Sequence, residues 1–294
     1  EEIRKFLKDG DTVIMTGYAQ APGKGRVGFG SCTGTIRPAY TDVDASVRES
    51  KDDVMSKQQR FTDFKLFGFW RSSCTWRVRV ALCAKAIPFE TEHVDILHEQ
   101  AQKKETYSTG VNVMSQVPVL ECTDTSTGER LRITQSLAII EFLEEAFPNV
   151  ASSLLPNDPV EKAMVREISE IVNSGIQPLQ NVSLVTMVAE VGGKDQDPNS
   201  GRMIAKWYIE KGLEAIEKIV RETKEQKGEA CGPFAIGGFC PTMADACLIP
   251  QLYNARRFGV DDATLGILCP TLLQVEAACS EHPWFRFSHP DSAK

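Results

Sequence analysis

The spacing of apolar residues predicts one architecture for the middle of the chain and another for its C-terminal part. Residues 64–70 have the pattern of a buried strand, and further strands are predicted at residues 89–96, 117–120 and 131–134. Apolar residues recur at helical spacing over residues 75–86 and 136–147. The predicted order of elements is therefore β-α-β followed by β-β-α.

From residue 158 onward the sequence shows only helical spacing. The clearest segments are residues 161–173, 201–223, 243–257 and 271–279. Proline and asparagine residues between 148 and 159 mark a connection. We therefore predict an α/β domain at residues 62–148 and an all-α domain at residues 158–290.

The N-terminal part is of a different kind. Residues 1–40 alternate β-branched or aromatic residues with glycine-rich turns, which predicts a β-rich piece. Residues 41–61 are polar and charged, which is typical of a linker. A piece of this size buries too little surface to fold alone, so it must pack on something else or stay loose.

Composition excludes several classes of function. The chain has 294 residues, 42% of them hydrophobic and 25% charged, as in packed globular proteins. A net charge of −7 argues against nucleic acid as a partner. The sequence contains no run of about 18 apolar residues, the length needed to span a membrane. Its first residues do not have the pattern of a secretion signal. Since the chain does not begin with Met, we expect a processed product or a piece of a longer protein.

The cysteines and histidines favour no metal site. Nine cysteines without a repeated spacing are typical of scattered thiols rather than of a disulfide framework. No Cys-x-x-Cys pair occurs, and the four histidines are not spaced with cysteines as zinc ligands. We therefore predict a cytoplasmic protein with no metal.

Candidate chemistry lies where predicted strands meet predicted helices. Ser72, Ser73 and Cys74 fall at such a corner, where backbone N–H groups and the helix dipole stabilise anions and thiolates. The alternative is that the serines only cap the helix and that Cys74 fills space. Thr242 and Asp245 have the spacing of a capping box, for which we predict a structural role.

Two further corners repeat this arrangement. Val117 and Pro118 open a predicted strand, where a cis proline would expose the preceding backbone groups and an ordinary trans turn is the default. Gln135 and Ser136 open a helix and suit either capping or the binding of a carboxylate. The three corners occur in order along one β-α-β-β-β-α unit.

At these corners the sequence resembles a known family. The run SSCTWRVRVAL is similar to the signature of the zeta-class glutathione transferases, also called maleylacetoacetate isomerases, and NVMSQVPVL, ITQSLAIIEFLEE and TMADACLIPQLYNARRFGVD match in order. The similarity spans residues 62–290. It implies a thioredoxin-like domain followed by a helical domain, a homodimer and glutathione as cofactor. It also implies cis-trans isomerisation of maleylacetoacetate to fumarylacetoacetate in tyrosine and phenylalanine catabolism.

The resemblance also implies roles for individual residues. Ser72 would stabilise the glutathione thiolate, with Ser73 and Cys74 close to the sulfur, and Arg257 would receive a substrate carboxylate. The other implied glutathione or ligand contacts are Gln102, Val117 before a cis Pro118, Gln135, Ser136, Gln177, Asn181 and Ser183. One departure is visible, because Val113 stands where the family has proline, which would loosen that loop.

Residues 1–40 resemble another family. The run FLKDGDTVIMTGYAQAPGKGRVGFGSCTGTIRPA is similar to the C-terminal end of fumarylacetoacetase, the hydrolase that acts on the isomerase product. The resemblance implies a fused protein whose hydrolase part lies upstream. We expect no hydrolase activity here, because that family's metal ligands and catalytic histidine lie upstream of this segment. The alternative is a glycine-rich extension of unrelated origin.

Two other functions remain open on the sequence. A general glutathione transferase acting on α-halo acids would use the same thiolate and arginine. A non-catalytic module of the fused protein would need neither, which makes the presence of Ser72, Cys74 and Arg257 together an argument for an enzyme.

Overall fold

The computed structural model describes residues 60–148, 150–191, 197 and 199–293. The chain divides after Ser153 into two compact units, which we call unit 1 and unit 2. The predicted β-rich piece at residues 1–40 and nearly all of the predicted linker lie outside the described residues. The two units are described separately below.

Unit 1 is built on a four-stranded mixed sheet. The strands are β1 (Phe61–Gly68), β2 (Glu90–His93), β3 (Val119–Asp124) and β4 (Glu129–Thr134), in the order β2-β1-β3-β4. β1 and β2 are parallel, whereas β1 with β3 and β3 with β4 are antiparallel. The helices are α1 (Ser73–Ala84), α2 (Glu105–Gly110) and α3 (Ser136–Ala146). The predicted α/β fold is confirmed, and the short helix α2 was not predicted.

The core of unit 1 lies between the sheet and the packed helices α1 and α3. Its fully buried side chains include Leu66, Val78, Val80, Leu82, Leu120, Ile139, Ile140 and Leu143. A buried ion pair joins the ends of the two helices, since Lys85 Nζ lies 3.0 Å from Glu144 Oε1 and donates to the Phe147 carbonyl at 3.2 Å. This pair joins the C-terminal ends of α1 and α3.

Unit 2 is all helical, as predicted. It contains α4 (Pro159–Glu170), α5 (Val182–Val191), α6 (Ser200–Lys227), α7 (Met243–Arg257), α8 (Asp262–Leu268), α9 (Pro270–Glu281) and α10 (Pro283–Ser288). A π turn, Ile171–Ile176, and a 3₁₀ turn, Gln177–Gln180, extend α4 towards α5. The helices α5, α8 and α10 were not predicted.

No single described helix is long and apolar enough to cross a membrane, although the bent pair α8 and α9 passes on length and composition.

Helix α7 forms the centre of unit 2 and begins at the predicted capping box. The Thr242 N–H donates to Asp245 Oδ2 at 2.7 Å, and the Thr242 hydroxyl donates to the same oxygen at 3.0 Å. Asp245 Oδ1 accepts from the Ala235 N–H at 2.9 Å. Complete burial raises the pKa of Asp245, although these hydrogen bonds act in the opposite direction. The capping box therefore has the structural role that was predicted.

A second buried carboxylate caps a helix from a distance. Glu217, in the middle of α6, accepts from the Thr271 N–H at 3.2 Å and from the Leu272 N–H at 3.0 Å. These are orphan donors of the first turn of α9, which α9 itself cannot satisfy. The start of α9 is therefore completed by a residue of another helix.

Candidate functional site

Ser72 lies at the corner between β1 and α1. Gly68 ends β1, and a Cβ at this position would come within 2.3 Å of Thr75 Cγ2, so glycine is needed for the close approach of strand and helix. Ser72 is the N-cap of α1, and its Oγ accepts from the Thr75 N–H at 3.3 Å. Among the described residues nothing accepts the Ser72 hydroxyl proton. Capping and anion binding are therefore compatible, because the oxygen accepts from the helix while the proton can be donated to a ligand.

The first turn of α1 suits a negatively charged ligand atom. Ser72, Ser73 and Cys74 are all half-buried, and the turn contains no acidic residue. The N–H groups of a first turn are orphan donors, and the helix dipole adds positive potential there. Cys74 is a free thiol in the same turn. The three residues that the sequence predicted are thus together at one helix start.

The two other thiols that the structure describes in unit 1 lie in a different environment. Burial raises the pKa of the Cys83 and Cys122 thiols to about 11, which leaves them unreactive near neutral pH. Of these three described thiols, Cys74 is therefore the one placed at the candidate site.

The loop before β3 is held by two side chains that bond to one carbonyl. The Gln116 carbonyl accepts from the Tyr107 hydroxyl at 2.9 Å and from Asn112 Nδ2 at 2.8 Å. The Val117–Pro118 peptide bond is cis, as the resemblance implied. Among the described residues, nothing hydrogen-bonds to the Val117 N–H or C=O. These groups lie two residues before β3 begins and can pair with an extended ligand.

The substitution of the family's proline by Val113 does not leave this loop unsupported. Val113 is exposed, and its neighbour Asn112 is buried and bonds at both ends of its amide. Asn112 Oδ1 accepts from the Met114 N–H at 3.0 Å, in addition to the bond from its Nδ2 to Gln116. The expected loosening of the loop is therefore opposed by Asn112.

Gln135 and Ser136 form the start of α3. Gln135 has a φ of 70°, a backbone conformation that residues other than glycine rarely adopt. Such conformations are often found at binding sites. Its side chain is exposed and does not cap the helix. Ser136 is buried, and its Oγ accepts from Arg77 Nη1 at 3.2 Å. The N-terminal N–H groups of α3 thus lack a side-chain cap from Gln135 and suit a carboxylate.

Gln102 is turned towards the protein. It lies in the 3₁₀ turn Ala101–Lys103 and is largely buried, and its Nε2 is 3.4 Å from the Ile96 carbonyl. Its Oε1 is buried and has no hydrogen-bond partner among the residues that the structure describes. Its predicted contact with glutathione stays a prediction.

Three of the predicted residues of unit 2 lie between the π turn and the first turn of α5. Gln177 is half-buried at the start of the 3₁₀ turn, and Ser183 is exposed. Asn181 Oδ1 accepts from the Ser183 N–H at 2.9 Å, so Asn181 caps α5. The amides of Gln180 and Gln251 donate to each other at 2.8 and 3.0 Å and bind this segment to α7. The capping role of Asn181 and the Gln180–Gln251 pair were missed from the sequence.

The neighbouring arginines at the end of α7 differ sharply. Arg256 Nη1 and Nη2 bond to Glu276 at 2.7 and 2.8 Å, and its Nε bonds to Asp262 at 2.7 Å. These hydrogen bonds, that to Glu276 above all, raise the pKa of Arg256. Arg257 is exposed, and its Nη1 donates to the neutral Asn254 Oδ1 at 2.9 Å. Arg257 is therefore the one of the pair presented to solvent, as a carboxylate receptor must be.

Within the residues that the structure describes, no group of three or more His, Cys, Asp or Glu residues is placed to hold a metal ion.

Comparison with known proteins identifies relatives of both units. Residues 71–146 match the family model described as glutathione S-transferase, N-terminal domain. Maleylacetoacetate isomerase from Rattus norvegicus is 37% identical over 225 residues, which is 76% of this chain and 91% of the rat protein.

Solved structures agree with this similarity. A crystal structure of maleylacetoacetate isomerase from Anaeromyxobacter dehalogenans 2CP-1, with glutathione bound in its active site, is 41% identical with a TM-score of 0.66 and covers 80% of this chain and 97% of that one. A bacterial maleyl pyruvate isomerase of the zeta class is 32% identical with a TM-score of 0.66, covering 78% of this chain and 97% of that one. This chain belongs to the maleylacetoacetate isomerase family, the zeta class of the glutathione transferases.

Proposed function

We propose that this chain is a glutathione-dependent isomerase that converts maleylacetoacetate to fumarylacetoacetate. The proposal rests on the geometry of the Ser72 hydroxyl. Its oxygen accepts a hydrogen bond from the Thr75 N–H, and its proton can be donated to a thiolate. The names and the bound glutathione of the relatives reported above support both the reaction and the cofactor. This reaction would belong to tyrosine and phenylalanine catabolism, as the resemblance implies.

The reaction needs temporary loss of a carbon–carbon double bond. The glutathione thiolate adds to the conjugated carbon and makes a single bond, about which the molecule rotates. Elimination then restores the double bond in the trans form and returns the thiolate, so glutathione is not consumed. Ser72 and the first turn of α1 keep the sulfur anionic, and each unit by which they lower the thiol pKa corresponds to about 1.4 kcal/mol.

Glutathione is held, in this proposal, along one edge of unit 1. The Val117 main chain pairs with the cysteinyl amide, Gln135 and Ser136 hold the γ-glutamyl end, and Ser73 and Cys74 lie beside the sulfur. The start of α1, the loop before β3 and the start of α3 thus each bind one part of the extended tripeptide. Gln102, Gln177, Asn181 and Ser183 complete the proposed contacts by resemblance.

An assay of two reactions tests this function directly. The purified chain with glutathione should isomerise maleylacetoacetate with a much higher kcat/KM than that for dechlorination of an α-chloro acid. Faster turnover of the chloro acid would favour the general transferase. Binding of glutathione without either reaction would favour the non-catalytic module.

Arg257 is proposed to receive a carboxylate of the substrate. Arg257→Ala should raise KM for maleylacetoacetate more than it lowers kcat, provided that the contact is equally strong in the ground and transition states. Arg256→Ala is the matched control, since it removes bonds to Asp262 and Glu276 and should lower the melting temperature instead. A larger rise in KM for Arg256→Ala than for Arg257→Ala would refute the assignment.

The N-terminal 40 residues are proposed to be the end of a fumarylacetoacetase fused upstream of the isomerase. The motive is the sequence resemblance alone, and the segment lies outside the described residues. A chain that begins at Gln58 should keep isomerase kinetics close to those of the full chain. It should not begin at Phe61, because Arg60 bonds to Asp124 at 2.8 Å beside β1. A large loss of turnover on truncation would show that the segment belongs to the isomerase.

We also propose that the protein is a homodimer. Helix α5 has no buried residue, and α5 and α6 expose large apolar side chains: Val182, Met187, Val191, Met203, Ile204, Trp207 and Tyr208. Apolar surface of this kind is usually covered by a partner. Trp207→Glu should shift the solution mass towards the monomer. Phe287→Glu, at a similarly exposed aromatic of α10, should not, and equal behaviour of the two would contradict this assignment of the interface.

A further inference from the structure

A charged side chain lies fully buried in the helix that carries the candidate thiolate site. Arg77 is one turn into α1 and has no exposed surface. Arginine is among the residues least often buried, because removing its charge from water is costly unless it is hydrogen-bonded. A buried arginine one turn behind Ser72 therefore calls for a reason.

Its observed hydrogen bond connects two predicted binding corners of unit 1. Arg77 Nη1 donates to Ser136 Oγ at 3.2 Å, across 59 residues of sequence, from α1 to the first residue of α3. A guanidinium can only donate hydrogen bonds. The serine oxygen is thus the acceptor in this bond, and its hydroxyl proton is left to be donated elsewhere.

The direction of this bond determines what Ser136 can bind. A hydroxyl that accepts from an arginine is biased towards donating its own proton, and among the described residues nothing accepts it. A carboxylate only accepts, so it complements this arrangement. The positive charge of Arg77 and the N-terminal dipole of α3 favour the same kind of ligand group.

We infer that Arg77 is a positioning residue for glutathione, which orients the Ser136 hydroxyl so that it donates to the γ-glutamyl carboxylate. The inference rests on the proposed function, since it takes Ser136 as a glutathione contact. Arg77 itself does not touch the ligand in this account. It acts through Ser136, from the buried side of the site.

Helix α1 supplies a matched control. Arg79 is also buried, but two residues further it projects from nearly the opposite side of the helix, and its Nη2 donates to the Trp70 carbonyl at 2.9 Å. Replacement of either arginine by lysine keeps a charge and shortens the reach of the donor. Only Arg77→Lys alters the bond to Ser136.

The test compares two thiols that differ at the γ-glutamyl end. Cysteinylglycine has the thiol of glutathione and lacks the γ-glutamyl group. We expect Arg77→Lys to lower kcat/KM for glutathione about three- to tenfold, as for a weakened hydrogen bond to an ion, and to leave kcat/KM for cysteinylglycine unchanged. Arg79→Lys should leave the ratio of the two values unchanged. In a variant that merely folds poorly, kcat/KM would fall equally for both thiols. That outcome for Arg77→Lys would overturn the inference.

A double-mutant cycle with Ser136→Ala gives a second, independent check. If Arg77 acts through Ser136, Arg77→Lys has no further effect on glutathione once the hydroxyl is gone. Additive effects would overturn the inference. Dissociation constants for glutathione, measured by calorimetry, test the role of Arg77 separately from the proposed reaction. A wild-type protein without isomerase activity, but whose glutathione affinity falls in Arg77→Lys, would refute the reaction and support the role of Arg77.

Discussion

Two helices of this molecule begin at a hydroxyl residue, and they differ in whether the hydroxyl proton has an acceptor among the described residues. At the start of α1, Ser72 accepts a hydrogen bond from Thr75 and donates to no described residue. At the start of α7, Thr242 donates its proton to Asp245, which also accepts from two backbone N–H groups. The first helix start is open to a ligand, and the second is closed on itself.

The residue three positions after the cap makes this difference. Thr75 is neutral, whereas Asp245 is acidic, and each occupies the third position of its helix. A carboxylate there takes up the cap's donors and adds negative charge where the helix dipole would attract an anion. A hydroxyl cap without an acidic partner is thus the better candidate for a binding site.

The largest expected effect is on stability, at the closed start. Asp245→Ala leaves buried donors of Thr242 and Ala235 without a partner, so it should lower the free energy of unfolding by about 3 to 4 kcal/mol. Urea unfolding measures this loss. Asp158 caps α4 at an exposed position, and Asp158→Ala should cost only about 1 kcal/mol. An equal effect of the two substitutions would contradict the contrast between buried and exposed caps.

The next effect is on catalysis, at the open start. Ser72→Ala removes the proposed donor to the thiolate and should lower kcat/KM roughly tenfold to a hundredfold, as for loss of a hydrogen bond worth about 1.5 to 3 kcal/mol. Stability should fall by only about 1 kcal/mol, from loss of the cap. Steady-state kinetics and urea unfolding separate the two effects. Unchanged isomerase activity would transfer the role to Ser73 or Cys74.

A third substitution makes the open start resemble the closed one. Thr75→Asp creates the spacing of Thr242 and Asp245 at α1, and the added charge should raise the pKa of bound glutathione by about one unit, or 1.4 kcal/mol. The rise of activity with pH should shift upward accordingly. Thr75→Asn has the same shape without the charge and should leave the pH profile in place. A shift with both variants would point to packing as the cause.

The smallest effect concerns a helix start that depends on pH. His282 Nδ1 accepts from the Trp284 N–H at 3.4 Å and caps α10, and burial lowers the pKa of His282 to about 4. The folded state therefore binds fewer protons than the unfolded state between about pH 6.5 and 4, and stability falls as pH falls through this window.

Between pH 7 and 5.5 we expect His282 to account for a loss of about 1 kcal/mol. His282→Asn retains a capping acceptor that does not titrate, so it should flatten this part of the stability profile. Urea unfolding at several pH values measures it. An unchanged slope in the variant would assign the loss to other groups.

The long helices were predicted from their apolar periodicity. Helices α3 and α7 have eleven and fifteen residues, enough for a helical period to stand out. The four strands were expected near their observed positions from short runs of strand type, without a long period. Helices α2, α8 and α10 have six or seven residues, which is too short for a period to stand out. Helix α5 was also missed, and none of its residues is buried in the structure.

The predicted site residues came from local motifs, and the missed ones act over long distances. Ser72 and Gln135 are recognisable because each adjoins a strand–helix corner in the sequence. Arg77 and Gln251 could not be assigned, since their partners lie 59 and 71 residues away. The signal available for Arg77 was a charge within an otherwise apolar turn. Such a charge indicates a buried partner without telling which one.

The carboxylate of Glu217 links the folding of two distant helices. The first N–H groups of α9 are satisfied only when α6 is in place, since their acceptor lies 54 and 55 residues earlier in the chain. Local opening of α6 thus exposes the start of α9 as well, and the two helices behave as one cooperative unit. Their amides should exchange with solvent deuterium together, and the isolated α9 peptide should lose helicity from its first turn.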